Sequence, residues 1–360
     1  MSIPNLYITG VTKDTVGKTA LCLGLALNFR DQGFKVGYFK PIGWKASLHE
    51  GKYVDSDAAL MKYALEMEED LAVINPIHLD YYHLEICKEM KIDELISSIR
   101  RCYQKISEDK DIVIIESLRQ PCLCFSFNMS AIDIAKMLNS TILFVSSTCE
   151  DEGVDEILYA ARMFRNEGLD CSGTVFNCIR RFIEERVDSI IAPLLKEHKL
   201  NIWGRLPHSP SITAPTIQEI MEALNGKALA GKNYLSKLVE NILVGAMGPE
   251  SAVKYFRKAP RKAVITGGDR PDIALTAMET DTSALILTGN LYPDVRVLAK
   301  AEEKKIPVIL VPYDTFSTVK RIREVTGKIK AGDDKRIRIT KSLVDRYINW
   351  KGILSYLGLK

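Results

Sequence analysis

The stretch that decides the fold is GVTKDTVGKT, residues 10–19. An apolar run typical of a strand precedes it at 6–9, and a second apolar run, typical of a buried helix, follows at 20–27. A strand, a glycine-bearing loop and a Gly-Lys-Thr that opens a helix form the context that a phosphate-binding loop requires. The N–H groups of such a loop and of the helix N-terminus present partial positive charge to a polyphosphate. The sequence therefore predicts a bound nucleotide rather than a chance Gly-Lys-Thr.

Individual loop residues have separate expected roles. Lys18 should reach the outer phosphates of ATP, and the hydroxyl of Thr19 should bind Mg2+. Position 12 is Thr where a strict Walker pattern has Gly, and Lys13 lies five residues before Lys18. That spacing matches the signature lysine of the deviant Walker loops, which often reaches the nucleotide of a partner subunit, so we expect a homodimer. The alternative for Lys13 is a solvated loop lysine. The residues expected to line the phosphates are Thr15, Val16, Gly17, Lys18, Thr19 and Ala20.

Composition limits the classes of partner. The chain has 360 residues, of which 26% are charged, and a net charge of +3. Such a balance demands neither nucleic acid nor an anionic membrane as partner. No signal peptide precedes the first strand pattern, and no apolar run is long enough to span a bilayer. We therefore expect a cytoplasmic protein.

The pattern along the chain predicts two α/β domains. Continuous apolar runs in the first half are typical of strands covered on both faces, and they alternate with helix patterns. This predicts a doubly wound, mostly parallel P-loop sheet in residues 1–228. After a glycine-flanked break near 226–231, a smaller α/β domain is expected in 229–360, ending in a helix over 341–357 capped by Thr340. The strands expected in the first domain are 4–10, 35–40, 111–116, 141–147, 172–177 and 201–205.

Three charged residues near the ends of these strands are candidate site residues. Lys40 and Glu116 each end a strand, and Asp57 lies in the first turn of a helix opened by Asp55. Ligands of open α/β sheets bind at the carboxyl ends of the strands, and a carboxylate there is a natural Mg2+ ligand. The alternatives are solvated strand ends and a simple helix cap. Taken together with the loop, the functional interpretation is favoured.

The set made of residues 10–19, Lys40-Pro41, Asp57, Glu116 and Asn177 resembles dethiobiotin synthetase and the related cobyrinic acid amidating enzymes. The resemblance implies that Lys40 contacts substrate and the transferred phosphate, and that Asp57 and Glu116 hold Mg2+ with Thr19. It also implies that Asn177 reads the adenine of ATP. The segment 204–207, GRLP, resembles the part that closes over the base and ends in Pro207.

The second half resembles the DRTGG domain through its runs at 244–247, 266–270, 287–293 and 314–316, although the hallmark pentapeptide is not present verbatim. The two domains in this order resemble the N-terminal regulatory region of long phosphotransacetylases. The resemblance implies a stand-alone relative of that region. Strand-end residues of this half, including Asp269 and Asp314, would line a site for an unidentified small metabolite, or serve only as turns and caps.

One departure bears on activity. Where the dethiobiotin synthetase pattern has a glycine-rich substrate loop after the metal glutamate, this chain has Ser-Leu-Arg-Gln-Pro at 117–121. Glycine lets a backbone approach a ligand closely, and that option is removed here. This loss favours a regulatory ATP-binding protein of acyl-phosphate or acetyl-CoA metabolism, and so does the resemblance of the whole chain to a regulatory region. The alternative is an ATP-dependent ligase or phosphoryl-transfer enzyme acting on a small carboxylate or carbamate.

Overall fold

The chain forms two compact units. The computed structural model describes residues 3–11, 17–44, 47–49, 52–79, 83–85, 91–148, 150–179, 184–323, 325 and 327–360. The first unit is Met1–His208 together with Ile329–Lys360, and the second is Ser209–Lys328. This division differs from the boundary expected at residue 228. Residues 209–228 belong with the second unit, and the chain returns to the first unit after 328.

The first unit is built on a six-stranded sheet. Its strand order is β10-β9-β8-β1-β7-β2, and every neighbouring pair is parallel. The strands are β1 (Asn5–Gly10), β2 (Val36–Phe39), β7 (Ile112–Glu116), β8 (Thr141–Ser146), β9 (Cys171–Ile179) and β10 (Asn201–Pro207). The central strands β1 and β7 are buried along their whole length, as their continuous apolar sequences predict. The predicted doubly wound parallel sheet is confirmed.

Helices cover this sheet, and short strands lie beside it. The short strands are β3 (Ile42–Trp44), β4 (Ser47–His49), β5 (Lys52–Val54) and β6 (Ile77–Leu79). The helices are α1 (Lys18–Asp31), α2 (Ser56–Leu65), α3 (Leu71–Ile74), α4 (Ile92–Ser107), α5 (Ala131–Met137), α6 (Asp151–Asn166), α7 (Glu184–Arg186) and α8 (Ala192–Glu197), the last two joined by a π-helical turn, Val187–Ile191. Because α1 follows β1 directly, the amino end of α1 lies at the carboxyl edge of the sheet.

The second unit contains a five-stranded sheet of order β11-β15-β14-β13-β12, antiparallel only between β11 and β15. Its strands are β11 (Lys227–Ala230), β12 (Asn241–Val244), β13 (Lys262–Gly267), β14 (Thr282–Thr288) and β15 (Val308–Leu310). Its helices are α9 (Pro210–Thr213), α10 (Ile217–Ala223), α11 (Pro249–Phe256), α12 (Pro271–Met278), α13 (Val295–Lys304) and α14 (Thr315–Arg323). The segment expected as a linker near 226–231 is thus largely strand β11.

Two helices after the second unit complete the first. They are α15 (Asp334–Tyr347) and α16 (Trp350–Tyr356). Helix α15 packs so closely on α1 that a Cβ at Gly24 would lie 2.2 Å from Cγ2 of Val344. The amide of Asn28 donates to the carbonyl of Lys341 at 3.3 Å. These contacts explain why residues 329–360 belong with the P-loop sheet.

The single final helix expected over 341–357 is therefore wrong. The helix begins earlier, where the side chain of Asp333 accepts from the N–H of Arg336 and caps it, and Thr340 is a buried residue inside it. The chain is extended at Ile348, which bridges to Gly204 of β10, and the N–H of Asn349 donates to the carbonyl of Trp203 at 2.6 Å. This contact with the edge strand divides the predicted helix in two.

Among the helices in the described ranges, none is both long and apolar enough to cross a bilayer.

Candidate functional site

The loop between β1 and α1 ends in a left-handed glycine. Gly17 has φ 74° and ψ 30°, and its carbonyl accepts from the N–H of Leu21 at 3.1 Å. No side chain of the described residues caps α1, and its first turn carries no acidic residue. The amino end of α1 thus keeps N–H groups and positive potential suited to an anion. Lys13, Thr15 and Val16, which were predicted to contact nucleotide, lie outside the described residues.

Asn177 lies against the end of the loop. A Cβ built on Gly17 would be 2.0 Å from Nδ2 of Asn177, which is buried near the carboxyl end of β9. Gly17 is therefore required twice, once by its positive φ and once by this close approach. The structure brings the predicted adenine-reading residue next to the predicted phosphate loop.

Glu116 connects the loop helix to the sheet. Its Oε1 accepts from the hydroxyl of Thr19 at 2.7 Å, and its Oε2 accepts from the hydroxyl of Tyr38 at 2.8 Å. Burial raises the pKa of Tyr38 well above its usual value, so the phenol keeps the proton that it donates. Burial also raises the pKa of Glu116, whereas the charge of Lys40 acts to lower it.

Tyr38 is a site residue that sequence reasoning missed. Its position two residues before Lys40, on the same face of the extended chain, is the only signal that could have indicated it.

Lys40 lies between two aspartates at the amino end of α2. Its Nζ is 3.0 Å from Oδ1 of Asp55 and 2.5 Å from Oδ2 of Asp57. The same Oδ1 of Asp55 accepts from the N–H groups of Asp57 and Ala58, so Asp55 is the helix cap that the sequence indicated and an ion-pair partner as well. Burial by itself lowers the pKa of Lys40, but the surrounding carboxylates, Asp57 foremost, raise it well above its usual value.

Lys18 and Lys40 differ in their electrostatic surroundings. Burial lowers the pKa of Lys18, and the nearby charge of Glu116 opposes part of that shift. Lys40, by contrast, is paired with Asp55 and Asp57. Lys18, Lys40, Asp57, Glu116 and Thr19 thus form one charged cluster at the carboxyl edge of the sheet, in which Lys40 and Glu116 are buried and the others are half-buried.

Two further residues that were predicted to contact the nucleotide are Ala20 and Pro207. Ala20 is half-buried in the first turn of α1. Pro207 ends β10 and pairs with Ile179 of β9, two residues after Asn177.

The cluster offers oxygen donors rather than a closed metal cage. In the ranges that the structure describes, no group of three or more His, Cys, Asp and Glu side chains is placed to hold a metal. Mg2+ in nucleotide sites takes one or two carboxylates together with phosphate oxygens and water. The hydroxyl of Thr19 and the carboxylate of Glu116, 2.7 Å apart beside an uncapped helix end, fit that donor set.

The strand ends of the second unit have turn and capping contacts. A Cβ on Gly268 would lie 1.8 Å from the carbonyl oxygen of Leu291, so this glycine accommodates the protein's own backbone. Asp314 accepts from the N–H of Ser317 at 2.9 Å and from its hydroxyl at 2.6 Å, as a helix cap does. These contacts are the ones expected if the strand-end residues serve only as turns and helix caps.

Comparisons with known proteins agree with this division of the chain. A family model described as an AAA domain matches residues 4–216, and one described as a DRTGG domain matches 219–325. Phosphate acetyltransferase of Pseudomonas putida is 26% identical over 233 residues, which cover 61% of this chain and 32% of that protein. The chain thus spans about a third of the length of that relative.

Two further relatives match one part of the chain each. ATP-dependent dethiobiotin synthetase of Methanocaldococcus jannaschii is 26% identical over 181 residues, covering 48% of this chain and 79% of that protein. A solved structure of the CBS and DRTGG domains of the regulatory region of Clostridium perfringens pyrophosphatase, in complex with the activator diadenosine tetraphosphate, is 23% identical. It covers 35% of this chain and 59% of that chain, with a TM-score of 0.28.

Proposed function

The chain belongs to the AAA domain family and carries a DRTGG domain, and from this premise we propose that it is a cytoplasmic, ATP- and Mg2+-binding regulator of acyl-phosphate or acetyl-CoA metabolism. The observation that carries the proposal is the cluster at the amino end of α1. There a left-handed glycine, a half-buried Lys18 and the Thr19–Glu116 pair lie at the same edge of the sheet.

Each residue has a defined part in holding the nucleotide. Lys18 and the N–H groups from Gly17 to Ala20 would hold the outer phosphates. The hydroxyl of Thr19 and the carboxylate of Glu116 would hold Mg2+, which neutralises phosphate charge when bound. Asn177, against Gly17, is suited to read the adenine because its amide can donate and accept at the same base edge.

The chain after Glu116 supports regulation over ligation. Ser117 and Leu118 are both buried, and the N–H of Ser117 donates to the carbonyl of Ile8 at 3.0 Å. These side chains occupy the position where a glycine-rich loop would leave backbone open to a small acceptor. The second unit would then sense the metabolite, and a thermal-shift screen of small acids and nucleotides tests this, because a ligand of the native state raises its apparent stability.

The alternative is an ATP-dependent ligase or phosphoryl-transfer enzyme acting on a small carboxylate or carbamate. It is favoured by the retained set of Lys18, Lys40, Asp57 and Glu116, which are the groups that phosphoryl transfer uses to neutralise and orient charge. The two functions are separated by measuring phosphate release from ATP as candidate acids are added. A regulator shows no acid-dependent burst, whereas a burst with one acid would favour the enzyme.

Replacing Glu116 by Gln should weaken binding of Mg2+–ATP much more than binding of metal-free ATP. The amide keeps the size of the side chain and can still contact Thr19 and Tyr38, but it loses the charge that a cation requires. Calorimetric titrations with ATP, in Mg2+ and in EDTA, measure both affinities. Asp133→Asn is the control, because it removes a carboxylate charge from the capping box of α5. It should leave the difference between the two titrations unchanged. An equal loss in both titrations would indicate a structural role for Glu116.

We propose further that the protein is a homodimer in which Lys13 reaches the nucleotide of the other subunit. The support is the five-residue spacing between Lys13 and Lys18. Light scattering should give the mass of two chains when ATP and Mg2+ are present, and Lys13→Ala should weaken that association. A single-chain mass at every concentration, with and without ATP, would refute the dimer.

A further inference from the structure

The ammonium group of Lys40 lies where a cation bound to Asp57 would have to compete with it. Its distances to the two aspartates, 3.0 and 2.5 Å, are those of charge-assisted hydrogen bonds. The Lys40 side chain is 7% exposed, so little water screens these interactions. A metal ion bound to Asp57 would lie next to the ammonium of Lys40, and the two positive charges would repel one another.

The two aspartates differ in how firmly they are held. Oδ1 of Asp55 accepts from Lys40 and from two N–H groups of the first turn of α2, and its side chain is only 4% exposed. The Asp57 side chain is 25% exposed, on the same helix turn. Releasing Asp55 would remove a helix cap as well as an ion pair, whereas the more exposed side chain of Asp57 can be reached by an ion from solvent.

The negative charge around Lys40 explains why a cation occupies this position. Three carboxylates, those of Asp55, Asp57 and Glu116, act on Lys40 within the cluster. Like charges that share a poorly screened site repel one another. A resident ammonium offsets that repulsion before any metal arrives.

We propose that Lys40 is an exchangeable resident cation: it neutralises Asp57 in the nucleotide-free protein and yields Asp57 to the metal, while Asp55 retains the lysine as a fixed anchor. In this arrangement Asp55 is a positioning residue. Metal alone then binds weakly, because it has to displace Lys40 without compensation. Metal that arrives with a polyphosphate binds well, because the displaced ammonium gains an anionic partner. This second half of the inference rests on the proposed nucleotide function, and the first half does not.

The test uses Mn2+ alone with the full chain, and electron paramagnetic resonance measures the free ion. Wild type should bind Mn2+ weakly, and Lys40→Met should bind it at least tenfold more tightly, about 1.4 kcal/mol. Lys18→Met is the matched control, since it removes the same charge from the same cluster without removing a contact to Asp57. Equal gains in the two variants would overturn the exchange and leave only general electrostatics. No gain in Lys40→Met would also overturn it.

A second variant identifies the carboxylate that changes partner. Asp57→Asn added to Lys40→Met should abolish the gain in Mn2+ affinity, while wild-type-like weak binding remains. A gain that survives in the double variant would contradict the role of Asp57.

Folding of Lys40→Met provides an independent readout. Without its ammonium the buried carboxylates repel one another, so the variant should unfold at a lower temperature than wild type. Mn2+ should restore the unfolding temperature of the variant and change that of wild type much less. Failure of Mn2+ to restore it would count against the proposal even if the variant is poorly folded without metal.

None of these measurements contains ATP. If ATP fails to bind while Lys40→Met gains Mn2+ affinity, the proposed cation exchange is supported and the proposed nucleotide binding is contradicted. If ATP binds through Lys18 and Lys40→Met gains no Mn2+ affinity, nucleotide binding is supported and the exchange is contradicted.

Discussion

Lys18→Ala should lower the affinity for Mg2+–ATP at least tenfold, about 1.4 kcal/mol, without unfolding the protein. Lys18 opens α1 and is half-buried, so its attraction to the outer phosphates is only partly screened by water. Its removal leaves no cavity in the apolar core, so we expect the fold to persist. Isothermal titration calorimetry measures the affinity.

The control for this prediction is Lys105→Ala, an exposed lysine on α4 that removes the same charge far from the loop. It should leave ATP affinity unchanged. An unchanged affinity in a folded Lys18→Ala protein would contradict the assignment of residues 12–19 as the phosphate-binding loop.

Gly24→Leu should destabilise the first unit by about 3 kcal/mol, at the upper end of the usual cost of overpacking. The added Cβ alone would lie 2.2 Å from Cγ2 of Val344, and the rest of the leucine has no space between α1 and α15. The better helix propensity of Leu over Gly offsets less than about 1 kcal/mol of this. Urea unfolding should show a midpoint lowered by roughly 1 M or more.

The matched control is Gly248→Ala in the second unit, where an added Cβ meets nothing within 4 Å and φ is −68°. Because Gly248 is the N-cap of α11, where Ala is less favourable, this variant should lower the midpoint slightly and much less than Gly24→Leu does. If Gly24→Leu also kept the wild-type midpoint, the packing of α15 on the loop helix would be wrong.

Much of the sheet could be predicted because strands covered on both faces have continuous apolar sequences. β7, with Ile-Val-Ile-Ile before Glu116, is such a strand, although its place between β1 and β2 does not follow from the order of strands along the chain. β11 could not be predicted in this way. It has four residues, Lys227–Ala230, between glycines that are typical of a linker, and its antiparallel pairing with β15 fixes it.

The division of the last helix shows the same limit. The helical pattern continues across Ile348, and the local signal for a new helix is Asn349, whose side chain accepts from the N–H of Gly352 and caps α16. The stop comes from β10, whose free edge pairs with Ile348 across Gly204. Such a tertiary contact overrides propensity and has no signature in the periodicity of the segment itself.

The site residues that could be predicted are charged residues at the ends of predicted strands. Glu116 and Lys40 were found in this way, and the structure places both in one cluster. Tyr38 was missed because a tyrosine in a buried strand is expected in any core, and only its hydrogen bond to Glu116 distinguishes it. The double role of Asp55 was missed because capping already explained it.

The interruption of the first unit by the 120 residues from 209 to 328 determines the order in which it can form during synthesis. The loop helix α1 leaves the ribosome early, but α15, which covers Gly24 and Asn28, follows more than three hundred residues later. At roughly 5–20 residues per second, translation of the intervening 120 residues alone takes about 6–24 s. The second unit has its own apolar core clusters and is complete at residue 328, before α15 has been made, so it can fold before the first. During this stage a nascent chain carries the P-loop sheet with the surface of α1 that α15 later covers still exposed, and such transient exposure favours aggregation.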